Sequence, residues 1–139
     1  MKYTIIDGSL NNNGISKTII NIVLETFSDK EYIECSETAD IVIFISPEHN
    51  GSYSAFLKQQ IDSLPYKMLS NKIAIIITYS SDGTKGKRAS DDVALMAFRN
   101  RMIVCPTVIN LDNKDHELSD LKERLRLINS NMEKIIKNW

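Results

Sequence analysis

The 139-residue chain has only two cysteines, three prolines, five glycines and two histidines, and each scarcity excludes something. Cys35 and Cys105 stand alone, with no CxxC and no Cys/His cluster, so neither a disulfide framework nor a zinc site is expected and a reducing compartment is the default. So few Gly and Pro, beside 42% hydrophobic and 25% charged residues, exclude a collagenous, low-complexity or disordered chain. Charge of either sign is not in excess: 17 Lys and Arg face 18 Asp and Glu, a net charge of -1. No global field exists to hold a polyanion, so neither nucleic acid nor a membrane surface is expected as a partner. No apolar run approaches membrane-spanning length. The opening Met1-Lys2-Tyr3-Thr4-Ile5-Ile6-Asp7-Gly8 meets an acid and a turn too early for a signal-peptide core, so a cytoplasmic location is expected. Neither a repeat nor a linker interrupts residues 1–139. One domain over that whole length is expected, burying roughly two-thirds of the unfolded chain's surface without staples.

What the chain does contain is an alternation of two patterns. Asp40-Ile41-Val42-Ile43-Phe44-Ile45-Ser46 and Lys72-Ile73-Ala74-Ile75-Ile76-Ile77-Thr78 are nearly continuous runs of apolar, mostly β-branched residues, the mark of strands buried on both faces. Tyr3–Ile6 and Ile103–Ile109 are shorter runs of that kind. Pro106 has no N–H to give a ladder and places the last run at a sheet edge or beside a bulge. Helical periods lie between the runs: Ile15, Ile19, Val23 and Phe27; Phe56, Ile61 and Leu64; then Val93, Met96 and Ala97, continuing into Arg99 to Arg101. Leu118, Leu121, Leu125, Ile128, Met132 and Ile135 mark a long terminal helix, with Asp120 and Arg124 spaced to pair on its outer face. Such alternation predicts an α/β fold of three layers, a parallel sheet with helices on both faces. Ligands of such sheets bind beyond the carboxyl ends of the strands, so function is sought in the loops after Ile6, Ser46 and Thr78.

The first loop runs from Asp7 to Lys17. Small residues with free amides at the start of a helix make an anion cradle, to which Ser9, Asn12, Asn13 and Ser16 add side-chain donors. It is neither GxGxxG nor GxxxxGK[ST], which disfavours a nucleoside triphosphatase. An Asn/Gly turn followed by a capped helix accounts for the same residues equally well. The second loop is Pro47-Glu48-His49-Asn50-Gly51-Ser52-Tyr53-Ser54. Asn50-Gly51 is a strong hairpin signal, but a helical stretch follows it and Pro47 opposes a ladder, so a hairpin fits poorly. The third, Ser80 to Arg88, is polar and locally basic, and taken singly reads as a solvated loop.

In order along the chain, these residues resemble the NADPH-dependent FMN reductase family of the flavodoxin-like fold. Gly8-Ser9-Leu10 matches the family's Gly-Ser-x-Arg phosphate loop, with Asn11 at the position of the usual Arg and Gly14 and Ser16 as the small residues closing the loop. Pro47, Glu48, Asn50, Gly51 and Ser52, followed by Leu57, Lys58, Ile61 and Asp62, match its second hallmark, with His49 in place of a Tyr. Ser81, Gly83 and Gly86 resemble the turn that flanks the flavin ring. The resemblance covers about Lys2 to Ile109. It implies FMN as cofactor, NAD(P)H as co-substrate and a small acceptor such as a flavin or quinone. The implied cofactor-binding residues are Gly8, Ser9, Asn11, Asn12, Asn13, Gly14, Ser16, Pro47, Glu48, His49, Asn50, Gly51, Ser81 and Gly83.

Flavin chemistry resides in the cofactor, which agrees with the absence of a Ser/His/Asp order, HExxH or paired carboxylates. No catalytic side chain and no metal ligand are expected. His116 reads as a solvated residue before the last helix. Two further readings stand beside the reductase: a flavin-binding electron carrier without a pyridine-nucleotide site, and a flavin-free scaffold of the same fold. A phosphoacceptor receiver is disfavoured, because the central strand ends in Ser46-Pro47 rather than Asp. Only Asp29 to Ala39 separates the first helix from the strand at Asp40, too little for a full crossover. The second βα unit is therefore trimmed, leaving either a rudimentary strand at Glu31–Cys35 or an exposed first strand. Either way a homodimer is expected, and the resemblance implies a flavin near the subunit boundary, beside Tyr53 and Phe56. Against it, Glu31, Glu34 and Glu37 are charges that can guard an open edge.

Overall fold

The computed structural model describes residues 1–10, 14–113 and 115–138, with the side chains of 115–117 left aside. The elements in order are β1 (Lys2–Asp7), α1 (Gly14–Thr26), β2 (Glu31–Tyr32), β3 (Ile41–His49), β4 (Ser52–Tyr53), α2 (Ala55–Asp62), β5 (Ile73–Ser80), α3 (Lys87–Arg99), β6 (Ile103–Val104), β7 (Ile109–Asp112) and α4 (Asp115–Lys137). The sheet runs β2-β1-β3-β5-β6, with β7 also on β5 and β4 on β3. All its pairings are parallel except β3 with β4.

The two long apolar runs are the centre of this sheet, paired from Ile41↔Ile73 to Pro47↔Tyr79. Because side chains alternate, Ile41, Ile43, Ile45, Ile73, Ile75 and Ile77 face one way, against Ile19 and Val23 of α1 and Leu121, Leu125, Ile128 and Met132 of α4. Val42, Phe44, Ala74 and Ile76 face the other, against Leu57 and Ile61 of α2 and Val93 and Ala97 of α3. This is the expected three-layer arrangement, with continuous apolar strands sandwiched between helices.

Several local expectations change. The stretch before Asp40 is the rudimentary strand: β2 registers only Lys2 and Tyr3 of β1, with no helix between β2 and β3. The run from Ile103 to Ile109 is two short pieces on β5, with Pro106 between them. α3 stops at Arg99, and Arg101 lies in the left-handed region at φ 59°. Its amide donates to the Phe98 carbonyl at 2.9 Å and that of Met102 to Ala97 at 3.0 Å, a helix end that sequence periodicity cannot register. Arg124 donates to the Asn110 carbonyl at 3.4 Å, joining α4 to β7 in place of the expected pairing with Asp120.

Candidate functional site

The carboxyl ends of β1, β3 and β5 deliver the three loops to one end of the sheet, at the point where the chain leaves β1 for the edge and returns to the centre. Hydrogen bonds join them. Gly8 donates its amide to the Ile45 carbonyl at 2.7 Å, and its carbonyl accepts from Ser54 Oγ at 2.6 Å. That hydroxyl also accepts from the Leu57 amide at 3.1 Å, capping α2. A Cβ on residue 8 would come within 2.6 Å of Ser54 Oγ and 2.9 Å of Leu57 Cβ. The first and second loops therefore require glycine where they cross.

The second loop corrects the expectation of a loop without hairpin pairing. β3 continues through Pro47, Glu48 and His49, and His49↔Ser52 and Glu48↔Tyr53 pair antiparallel. Asn50 at φ 52° and Gly51 at φ 77° form the turn, both positive as a two-residue mirror-image hairpin demands. The objection from the following helix fails because the ladder lasts two pairs, and Ser54 starts α2 at once. Pro47 is tolerated where the strand changes from central ladder to hairpin.

Glu48 is the hub between the second and third loops. Its side chain is 2% exposed and accepts from Arg88 Nη2 at 2.7 Å, Arg88 Nε at 3.2 Å, Thr84 Oγ1 at 3.1 Å and the Ala89 amide at 3.2 Å. The Arg88 bonds, helped by the amide, the hydroxyl and the guanidinium's charge, hold its carboxyl below the usual range although burial acts the other way. Arg88 also reaches Asp82 at 2.9 Å. The Thr84 and Ser80 hydroxyls and the Thr84 amide hold that carboxyl far below its ordinary value. Glu48 thus closes a braced frame of Ser80, Asp82, Thr84 and Arg88.

Of the residues expected at the first loop, Asn11, Asn12 and Asn13 lie outside the described residues. Gly8 and Ser16 are buried, Ser9 is half-buried, and Gly14 opens α1. Asp7 is a participant that sequence reasoning missed. Its Oδ1 accepts from the Ser9 amide at 3.0 Å and from Ser16 Oγ at 2.6 Å, while its carbonyl accepts from Gln60 Nε2 at 2.7 Å. Tyr79 stands against the same group: burial raises its phenol first and the Asp7 charge adds to that, while hydrogen bonding with Ser9 and Ser16 opposes both. At the third loop, Ser81 and Gly83 are exposed, and Gly83 meets no heavy atom within 4 Å of an added Cβ. Arg88, Asp82, Ser54 and Gln60 were also missed, since only the fold brings them in; Ser54 alone carried a signal, a hydroxyl directly before a helical period.

His49 and Asn50 face a different place. They line a cavity of about 670 Å³ beneath the hairpin, between α2 and α3, with Tyr53, Lys58, Asp92, Leu95 and Arg99. Asp92 accepts from Ser52 Oγ at 2.6 Å, which ties the hairpin to α3.

A doubly wound parallel sheet with three bridged loops at one carboxyl end belongs to the flavodoxin-like class, and solved structures match it along nearly their whole lengths. FerB, a flavoenzyme NAD(P)H:(acceptor) oxidoreductase from Paracoccus denitrificans, covers 98% of this chain and 97% of its own at TM-score 0.78 and 16% identity. A flavodoxin from the domain Archaea covers 97% and 99% at 0.74 and 15%. A Fusobacterium nucleatum flavodoxin bound to flavin mononucleotide covers 96% and 97% at 0.73 and 9%. At such identities the likeness is one of fold. No curated protein sequence matches the chain. Residues 30–116 match the NADPH-dependent FMN reductase family, and the chain belongs to that family of flavin-dependent oxidoreductases. The matched segment contains the second and third loops; the first precedes it.

For a flavin, the donor set divides. Around the ring end, the Asn50-Gly51 turn offers backbone unshielded at residue 51, where an added Cβ would meet no heavy atom closer than 4.0 Å. At the phosphate end, the Ser9 amide, the Ser16 hydroxyl and the start of α1 are the donors an oxyanion takes. The start of α1 fits that group, but the Ser9 amide and the proton of the buried Ser16 hydroxyl are already given to Asp7.

Proposed function

We propose that the chain is an FMN-binding, NAD(P)H-dependent oxidoreductase that passes reducing equivalents to a small acceptor such as a free flavin or quinone. The observation that carries this reading is the hydrogen-bonded junction of the three loops: Ser54 to Gly8, and Glu48 to Thr84, Arg88 and Ala89. It braces loops far apart in sequence at one end of the sheet, and family membership supports a flavin as the group they hold. FMN, when bound, would supply the two-electron chemistry between the nicotinamide and the acceptor. The protein's part is to hold and expose. The Pro47–Gly51 backbone and the Ser81–Gly83 turn flank the ring, Gly8, Ser9, Gly14 and Ser16 receive the phosphate, and Glu48 and Arg88 fix the distance between the ring's neighbours. Asn11, Asn12 and Asn13 complete the phosphate side in this proposal. The functional unit is a homodimer, with neither nucleic acid nor membrane as partner. Among the described residues no helix is long and apolar enough to cross a membrane.

The electron-carrier reading is supported by the flavodoxins that match the chain along nearly its full length. One experiment separates the two. The protein is titrated with FMN while flavin fluorescence is followed, then the complex receives NADH or NADPH under nitrogen. Saturable quenching followed by bleaching of the visible band, and its return with a quinone, is the expected result. Binding without bleaching by either nucleotide means the carrier, and no saturable binding at tens of micromolar removes both.

A further inference from the structure

The phosphate end of the cleft carries an anion of its own. Asp7 ends β1 opposite Ile45, and its Oδ1 lies 2.6 Å from Ser16 Oγ in the first turn of α1 and 3.0 Å from the Ser9 amide. A negative charge there is favoured by the positive end of the helix, and it satisfies donors that a ligand oxyanion would need. The carboxylate is fixed from behind, since its own carbonyl is held by Gln60 Nε2 at 2.7 Å. Among the described cations, Lys58 pairs with Asp62 at 2.8 Å and Arg88 with Glu48 and Asp82, while Lys17, next to Ser16 in the first turn of α1, is exposed.

A phosphate monoester brings close to two negative charges at neutral pH. Two anions sharing one set of donors disfavour each other's charged form. A ligand tail ending in a neutral hydroxyl meets no such opposition and can itself donate to the carboxylate. We infer that Asp7 is a specificity-determining residue of the flavin site: its carboxylate competes with the ligand phosphate for Ser9 and Ser16, and so cancels the preference for FMN over phosphate-free flavin. This rests on the flavin reading proposed above and concerns only which flavin the cleft favours.

The carboxylate also closes a local turn through Ser9, so a change in shape must be separated from a change in charge. Asp7→Asn keeps an acceptor at Oδ1 and removes the charge; Asp7→Ser removes the charge and leaves only a shorter hydroxyl acceptor. Dissociation constants for FMN and for riboflavin are measured by fluorescence quenching at one fixed, low ionic strength, on the wild-type chain and both variants, with circular dichroism reporting the fold. Wild type is expected to bind the two flavins within about threefold of each other, and both variants to tighten FMN by about tenfold or more while riboflavin moves by less than about threefold. If FMN and riboflavin keep their wild-type ratio in Asp7→Asn and Asp7→Ser, Asp7 is a structural acceptor and the inference is overturned. It is likewise overturned if wild type already prefers FMN by a hundredfold or so, a margin that a phosphate well held by charged bonds commands. Folded wild type and variants that quench neither flavin overturn the flavin reading itself, a result distinct from either of these.

Discussion

Glu48 holds its charge almost out of water because four donors from Arg88, Thr84 and Ala89 converge on it within 3.2 Å, and this gives it a sign in the acid limb. Its carboxyl is held below the usual value in the folded chain, so its contribution to stability is complete above about pH 4.3, the unfolded value, and is lost as pH falls through the folded one. Glu48→Gln is expected to cost on the order of 1–2 kcal/mol near pH 7 and progressively less toward pH 3. Urea melts at stepped pH check this, and a penalty equal at both ends contradicts it. Gly51 makes a different prediction. Its φ of 77° is the left-handed region, where a β-branched residue is strained by roughly 1–2 kcal/mol, and an added Cβ stands 4.0 Å from the Arg88 side chain. Gly51→Val is expected to leave a folded protein and to weaken FMN by more than about tenfold, beyond what the loss of stability explains. Unchanged FMN affinity in that variant would move the ring site away from the hairpin. At this scale the sequence offered a signal where one residue answers to one local demand, as with Asn50-Gly51, although the hairpin it marks was set aside for the helix that follows. Asp7 was not legible, because a polar residue at the end of a strand looks like the first residue of a turn until α1 folds back and brings Ser16 to it.

Elements were legible in proportion to how far periodicity alone determines them. The stripe on α4 and the apolar runs of β3 and β5 need no partner to be recognised, since burial on one helical face or on both strand faces writes itself into every third, fourth or adjacent residue. The Pro47–Tyr53 segment was misjudged for the opposite reason. A hairpin of two pairs followed immediately by a helix leaves no alternating pattern to read, and its pairing is held from outside by Ser52 on Asp92 and Glu48 on Arg88. The element that depends most on a single side chain is α2, only eight residues long. Ser54 caps it, receives the Leu57 amide at 3.1 Å, and donates to Gly8 at 2.6 Å. Ser54→Ala removes both bonds and is expected to cost about 1–2 kcal/mol, the upper part of the range for a lost cap. Because the same hydroxyl joins the first two loops, FMN affinity should fall with it, and a loss of stability without weaker binding would separate the cap from the junction.

For the whole molecule, two surfaces offer themselves to the proposed homodimer, one beside the trimmed second βα unit and one on α3, and they predict different behaviour. The first is the edge beside β1, where β2 covers only Lys2 and Tyr3. It is guarded: Glu31 stands there beside Lys2 at 3.9 Å, and charge on an edge discourages strand addition. The second is the outer face of α3. Leu95 is 50% exposed and Phe98 62%, three residues apart on one helix face, next to the 670 Å³ cavity lined by Tyr53, Ala55 and Met96. Scattered exposed apolar residues need no explanation, but an exposed Phe and Leu beside this cavity form a surface that a two-fold partner can cover reciprocally, each Phe98 entering the other's groove. The hairpin turn and His49 border that cleft, so such a dimer would place its boundary beside the proposed ring site. Light scattering at several concentrations is expected to give about twice 15.8 kDa. Phe98→Glu should return it to the monomer mass, and Tyr32→Lys on the β2 edge should leave the dimer intact. A reversed pattern assigns association to the sheet edge, whereas 15.8 kDa at every concentration removes the dimer and leaves the acidic edge as the guard of a monomer.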